Sequence, residues 1–478
     1  MTPTARCCLY LMMPVFAAMA QPGIRVMPSP LNHPSLNAWL PFINPDGNAL
    51  LFLSDNTEGK VPKLFFTSRT GADWKDPAEL PRALNSPANF RDGFSLSPDG
   101  RTIYVSSSRP GGVGGYDIVG FSAANPAADG TNNGSPVNSK ENEGSFVMAP
   151  DGNTAYFMRC STMNPTACGG CRIMTTSRKN NGSLWEAPVE LPPAVNAGNS
   201  QFPRILADGT TLLFASDKHS PSSGGMDLYL TTRTESGWSD PISLAFLNSE
   251  GNDMMVSVQA NGRNATTAVM AGGKYQLAEI PFPPDLKPVT VMKLMGKVAG
   301  QDKPDGFYVS VVSGTTGKPT ATARPDAEGN FTVYMTGGKR HLLFIDPSAD
   351  GGPFFVKNYD LRTGPVQARE RLNAEIPPPG PGTTIDLTGM VINDGRPDAP
   401  SMAIMNRLLR LMRNNPGMTF EFAAGPDLPA DSTGTVADLD QLATSIIKFL
   451  KDRSMSNPMT IVPSDGPAGS LVLRVGGN

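Results

Sequence analysis

Histidine is nearly absent. The chain has three, His33, His219 and His341, too far apart to offer a metal-ligand spacing. Charge is sparse as well. Asp, Glu, Lys and Arg make up 17% of the 478 residues, and the formal net charge is −3. An average soluble domain carries roughly 25%. No basic stripe or block is present, which argues against a nucleic-acid partner, and there is no acidic tail. Long apolar runs are missing too. The longest, Cys7 to Ala20, has 14 residues, short of the roughly 20 that a bilayer-spanning helix needs. With Arg6 before it and Ala18-Met19-Ala20 at its end, residues 1–20 read as a secretory signal cleaved before Gln21. No cysteine directly follows the apolar stretch, so lipid attachment is not indicated. The expectation is an exported protein with no transmembrane span.

What is abundant is Gly and Pro, 49 and 46 residues, a composition that suits a turn-rich β protein. They recur in order. Pro45-Asp46-Gly47, Pro98-Asp99-Gly100, Pro150-Asp151-Gly152, Ala207-Asp208-Gly209 and Ala260-Asn261-Gly262 follow one another at intervals of 53, 52, 57 and 53 residues. A fixed period of this size marks an array of units that bury their apolar faces against neighbours. Apolar alternation precedes each turn, and a β-rich run such as Thr102-Ile103-Tyr104-Val105 follows it. A Gly-rich loop then opens onto a third strand, as at Tyr116 or Met226. A fourth segment carries Trp-x-x-Pro-x-x-Leu (Trp74, Trp185, Trp238) and closes with Asn85, Asn196 or Asn248. Four short antiparallel strands per unit describe a propeller blade. Five turns predict five blades, with a sixth irregular blade left open. The last unit stops after its third strand near Ile280. Residues 24–32 look like an orphan fourth segment ending in Asn32, predicted to pair into the last blade and close the ring. The repeated Asp46, Asp99, Asp151, Asp208 and Asn261 are read as turn-holding residues, and the Trp residues as blade packing.

The turn, the Gly-Gly-x-Asp-[Ile/Leu] start of the third strand and the Trp-x-x-Pro element together resemble TolB-like Pro-Asp-Gly (WD40-like) propeller repeats over roughly residues 24–283. Propellers host many activities, so this resemblance implies a fold and not a function. Within the array, Cys160, Cys168 and Cys171 share one loop. Cys168-Gly169-Gly170-Cys171 has redox-pair spacing, but such pairs work at a helix N-terminus, and this one lies between two strands. Cys160 leaves one strand and Cys171 enters the next. A Cys160–Cys171 disulfide is therefore expected, with Cys168 spare. Without a nearby His, no closed zinc site is expected, and no cofactor. Asp92 and Asp217-Lys218-His219 are the non-repeated polar residues closest to what a glycan or lactone hydrolase would need. No catalytic residue is assigned, and a non-enzymatic role is favoured.

Prolines at 281, 283, 284 and 288 mark a linker. Residues 288–362 read as a small β domain. Gly296-Lys297-Val298, Thr316-Gly317-Lys318-Pro319 and Gly329-Asn330-Phe331 resemble the carboxypeptidase-regulatory-like β-sandwich. His341 is expected at the surface there. Residues 363–382, ending in Pro377-Pro378-Pro379-Gly380-Pro381-Gly382, are read as a stiff spacer. Residues 383–478 hold the convincing helices. One has Ile404, Met405, Leu408, Leu409 and Met412 on one face, and the other has Leu439, Leu442, Ala443, Ile446 and Leu450. The order β-α-β-α-β-β and the text Leu408 to Gly417 resemble the OmpA-like peptidoglycan-binding domain.

The whole arrangement, with 21–284 as propeller, is identified as similar to OmpA-family envelope proteins found beside type IX secretion and gliding machinery. That resemblance implies a periplasmic, outer-membrane-associated place, envelope-protein partners, and peptidoglycan or another glycan as ligand. In such domains an Asp and an Arg grip the ionic groups of a diaminopimelate stem. Asp427 falls on the Asp position. The Arg position is Leu442, with Lys448 or an arginine of the first helix as the alternative cation. The expectation is an OmpA-like fold with weakened or lost peptidoglycan binding, working as a scaffold or docking platform.

Overall fold

A computed structural model describes residues 23–55, 62–179, 183–234, 236–299, 303–348, 352–363, 369–378, 380–427 and 438–476. The expected signal segment and Gln21 lie outside the described residues. The chain divides into two compact units, Met1–Thr290 and Val291–Asn478, and no helix is long and apolar enough to cross a membrane.

The first unit is a β-propeller. Among its described residues there are five antiparallel sheets. Their innermost strands are Ala38–Ile43, Asn89–Leu96, Asn142–Met148, Ser200–Ile205 and Ser257–Val258. Each of the first four sheets is built from consecutive chain. The fifth holds Ser257–Val258, Asn264–Ala271 and Lys274–Pro281, and takes its outer strand, Arg25–Val26, from the N-terminal end. Arg25 pairs with Glu279 and Val26 with Ala278. The orphan segment thus supplies the missing fourth strand and covers an edge that would otherwise be open.

The same local chemistry builds every blade. In the five turns Gly47, Gly100, Gly152, Gly209 and Gly262 have φ between 61° and 72°, the left-handed region that costs a residue with a Cβ. Each donates its N–H three residues back, to Asn44, Ser97, Ala149, Leu206 or Gln259. Asp151 Oδ1 accepts from the N–H groups of Asn153 and Thr154, and Asp208 Oδ1 from those of Thr210 and Thr211. Asp99 and Asn261 accept from Arg101 and Arg263 in the same way. At the outer edge, Arg69 and Arg178 donate to the turn carbonyls of Gly47 and Gly152 and stack over Trp74 and Trp185.

A further repeat is an asparagine that mimics a strand. Asn32, Asn85, Asn138, Asn196 and Asn248 each accept from one backbone N–H of the third strand and donate back to the same residue's carbonyl. The residues clasped are Leu277, Leu64, Ile118, Ile173 and Leu228. A second set ties neighbours together. Asn142, Asn199, Asn252 and Asn37, each beside the start of an innermost strand, accept from the N–H groups of Tyr116, Cys171, Met226 and Tyr275 of the preceding blade.

The second unit joins two layers of β-sandwich to an α+β sheet. One sandwich sheet runs Asn330–Thr336, Val291–Ala299, Arg369–Glu375, and the other Pro319–Ala323, Phe307–Ser313, Arg340–Pro347, Phe355–Asp360. Arg369–Glu375 corrects the sequence reading, which placed it in the spacer. It pairs in parallel with Val291–Ala299 and buries Ala374 completely. Its charged, alternating text hid one inward residue.

His341 is a second correction. It is 1% exposed, and its Nε2–H donates to the Thr336 carbonyl at 2.8 Å; burial lowers its pKa. The period of two along Arg340–Pro347 sends Leu343 and Ile345 into the sandwich core and Leu342 and Phe344 to the other face. That other face belongs to one apolar cluster with Leu408 and Met405 of helix α1 (Ala399–Asn414) and Phe422 of strand Phe420–Ala424. Arg407 also lies over the Phe344 ring at 3.7 Å and makes two 2.7 Å bonds to the Asp346 carboxylate. The segment read as a stiff spacer therefore links modules that share a core.

The last sheet is ordered Thr384–Asp386, Leu471–Val475, Phe420–Ala424, Met459–Pro463, the final pair parallel. Helix α2 (Leu439–Lys451) packs against it through Ala443, Ile446 and Leu450. Asp398 caps α1 by accepting from Ser401 N–H, and Asp438 caps α2 by accepting from Gln441 N–H.

Candidate functional site

Two places collect chemistry that the repeats do not explain. The first is on the propeller. Contacts between blades that are not neighbours can be made only across the centre. The guanidinium of Arg204, in the fourth blade, lies 5.0 Å over the Phe42 ring of the first and donates to the Phe94 carbonyl of the second. Phe202 of the fourth blade stacks on Phe90 of the second, with centroids 6.4 Å apart. The centre is thus filled by side chains. Burial pulls the Arg204 pKa down to about 9.

The third blade departs from the others. Its middle strands, Thr154–Asn164 and Ala167–Ser177, have 11 residues each, against six to eight for the innermost and middle strands of the second and fourth blades. The extended hairpin reaches both sides. Pro165 accepts from the Arg91 N–H of the second blade, and Cys168 Sγ lies 3.2 Å from Gln201 Oε1 of the fourth. Cys160 and Cys171 face each other in register and form a disulfide, S–S 2.02 Å. Cys168 is free and half-buried. Burial pushes its thiol up to about 12, and the Asp92 carboxylate adds to the rise. Burial likewise pushes Asp92 up to about 7, opposed by Arg91.

The other hydrolase candidates have structural partners. Asp217 Oδ1 accepts from Asn199 N–H. The His219 ring packs against Phe214 and Tyr229 at 5.4 and 4.9 Å, and its Nε2 donates to the Val195 carbonyl. Sequence reasoning singled out Asp92 but missed Gln201 and its meeting with Cys168. No linear signal joins positions 168 and 201.

The second place is in the C-terminal sheet. The carboxyl ends of the parallel strands Phe420–Ala424 and Met459–Pro463 meet the start of α2 around a cavity of about 740 Å³. Its walls include Asp427, Asp438, Asp440, Thr444 and Ser464, with no Lys or Arg among the described residues. Asp427 lies at the mouth and its Oδ1 accepts from Leu439 N–H at 3.2 Å. It answers one of the orphan N–H groups at the α2 start, where the helix dipole favours a carboxylate. Leu442 packs against the apolar cluster instead of facing a ligand as a cation. Arg407 is engaged by Asp346, and Lys448 sits in the last turn of α2.

No protein-family model and no curated protein matches the chain. Among solved structures it is similar to a TolB of Agrobacterium tumefaciens, 17% identical over 49% of this chain and 69% of that one, TM-score 0.31. It is also similar to an endo-arabinase of Bacteroides thetaiotaomicron, 18% identical over 53% and 97%, TM-score 0.37. An oligogalacturonate lyase of Vibrio parahaemolyticus is 9% identical over 54% and 94%, TM-score 0.31. Likenesses this remote leave the activity undecided.

Proposed function

We propose that the chain is a non-enzymatic binding protein of the cell envelope, exported to the periplasm and held near the outer membrane. Its propeller is a rigid docking face for an envelope protein or glycan. Its C-terminal domain is an OmpA-like module with weakened or lost affinity for peptidoglycan. One observation carries the second half. The cavity at the head of α2 presents Asp427, Asp438 and Asp440 with no cation among its described walls. A zwitterionic stem needs both signs of charge, and a leucine cannot answer its carboxylate. Asp427, the one acid at the matching position, also serves the helix start. Retention on purified sacculi tests the reading. Weak retention, unchanged by Asp427→Ala, is expected; strong retention abolished by that substitution restores a peptidoglycan anchor.

The filled propeller centre and the structural partners of Asp217 and His219 support the non-enzymatic half. The hydrolase reading rests on Asp92, whose carboxyl is pushed into the range of a general acid. A turnover screen on glycans and lactones, with and without chelator, separates the two.

A further inference from the structure

The hairpin of the third blade brings together groups that are unrelated in sequence. The Sγ atoms of Cys160, Cys168 and Cys171 all lie within 4.8 Å of one another. Thiolates around a tetrahedral zinc sit about 3.8 Å apart, given Zn–S bonds of about 2.3 Å. The three sulfurs therefore already occupy the volume of such a site. Two of them are held in register on paired strands, so opening the disulfide leaves both on the same scaffold. Three thiolates alone leave one position open. The fold brings one oxygen donor beside it: Gln201 Oε1 stands 3.2 Å from Cys168 Sγ.

We infer that Cys160, Cys168 and Cys171, once the disulfide is reduced, form a three-thiolate site for a borderline-soft divalent ion such as zinc or cadmium, which the oxidised protein does not bind. A dithiol supplies two electrons and two protons to the Cys160–Cys171 bond and leaves as its own disulfide. Three thiols then release their protons as the metal enters. The third blade provides the sulfurs and the fourth an amide oxygen beside them, so the ion would hold the hairpin against its neighbour. Bond exchange between Cys168 and the disulfide is the less favoured use of the same sulfurs, because a protonated thiol is a poor nucleophile.

The test uses the full chain, oxidised and dithiol-reduced, titrated with cadmium while the thiolate-to-metal charge-transfer absorbance is followed. One equivalent is expected in the reduced protein and none in the oxidised. Cys168→Ser should weaken binding about a hundredfold and Gln201→Ala about tenfold, the scale of losses seen when metal-site residues are removed. Reduced protein that takes up no cadmium overturns the site, as does unchanged binding in Cys168→Ser. Reduced protein that loses its β-sheet circular dichroism and does not regain it with cadmium overturns it too.

Discussion

The two units use polar residues in opposite ways. In the propeller, what repeats is structural: the turn glycines, the Asp and Asn of the turns, and the strand-mimicking asparagines all hold backbone. In the C-terminal domain, Asp427, Asp438 and Asp440 occur once and share a cavity, without a described cation, where the carboxyl ends of the parallel strands meet the start of α2. Repetition across blades marks what every blade needs in order to fold. Departure from the repeat marks what one place does. Within the propeller the same rule picks out Asp92, Cys168 and Gln201, which have no counterparts in the other blades.

This contrast can be broken at several points. The largest effect is expected in the second unit, where the sandwich and the last sheet share one apolar cluster. Leu408→Ala should destabilise that unit by about 3 kcal/mol through transfer and cavity terms. Both of its modules should be lost in one transition, read by denaturant titration with hydrogen exchange. Separate transitions would restore the spacer reading.

In the propeller, Asn138→Ala removes bonds to both Ile118 backbone groups and to Asn132. Two buried strand groups would be left unanswered, a loss of about 3 kcal/mol. A change under about 0.5 kcal/mol, the usual size for an exposed substitution, would mean the repeated asparagines are incidental.

Asp253 provides a pH test. Burial, with a smaller push from Asp227, raises its carboxyl to about 6, while the Ser249 N–H and hydroxyl pull it down. An acid whose folded pKa exceeds its unfolded value of 3.8 holds its proton more tightly in the folded state. Its contribution therefore falls as pH rises from about 4 to about 6. Asp253→Asn should gain on the parent protein across that window, by about 3 kcal/mol at pH 7. A difference that does not vary with pH would contradict the burial argument. The smallest effect belongs to Asp438→Ala, expected to cost about 1 kcal/mol by uncapping α2. Urea midpoints measure it, and no loss would mean that Asp427 alone holds the helix start.

Much of this was legible in the residues. The period gave the blades, and the Asp-Gly pairs gave their turns, because a left-handed position selects glycine locally. The N-terminal segment showed its place by ending in the same Asn as the other blades. Other features were hidden. Arg369–Glu375 carries charge on both sides of its one fully buried residue, so its text reads as a linker. His341 looked exposed because nothing in the chain announced the Thr336 carbonyl beside it. Asn138 was passed over because its blade has no Trp to mark the fourth segment.

By itself the sequence determined the repeating β architecture and the turn chemistry. These depend on neighbours a few residues apart, or on a residue type matched to a motif. Tertiary structure decided that the centre is plugged by Arg204, that the sandwich and the last sheet share a core, and that Gln201 of the fourth blade meets Cys168 of the third. Those outcomes depend on how far one hairpin reaches and which strand faces meet, and closure of the array sets both.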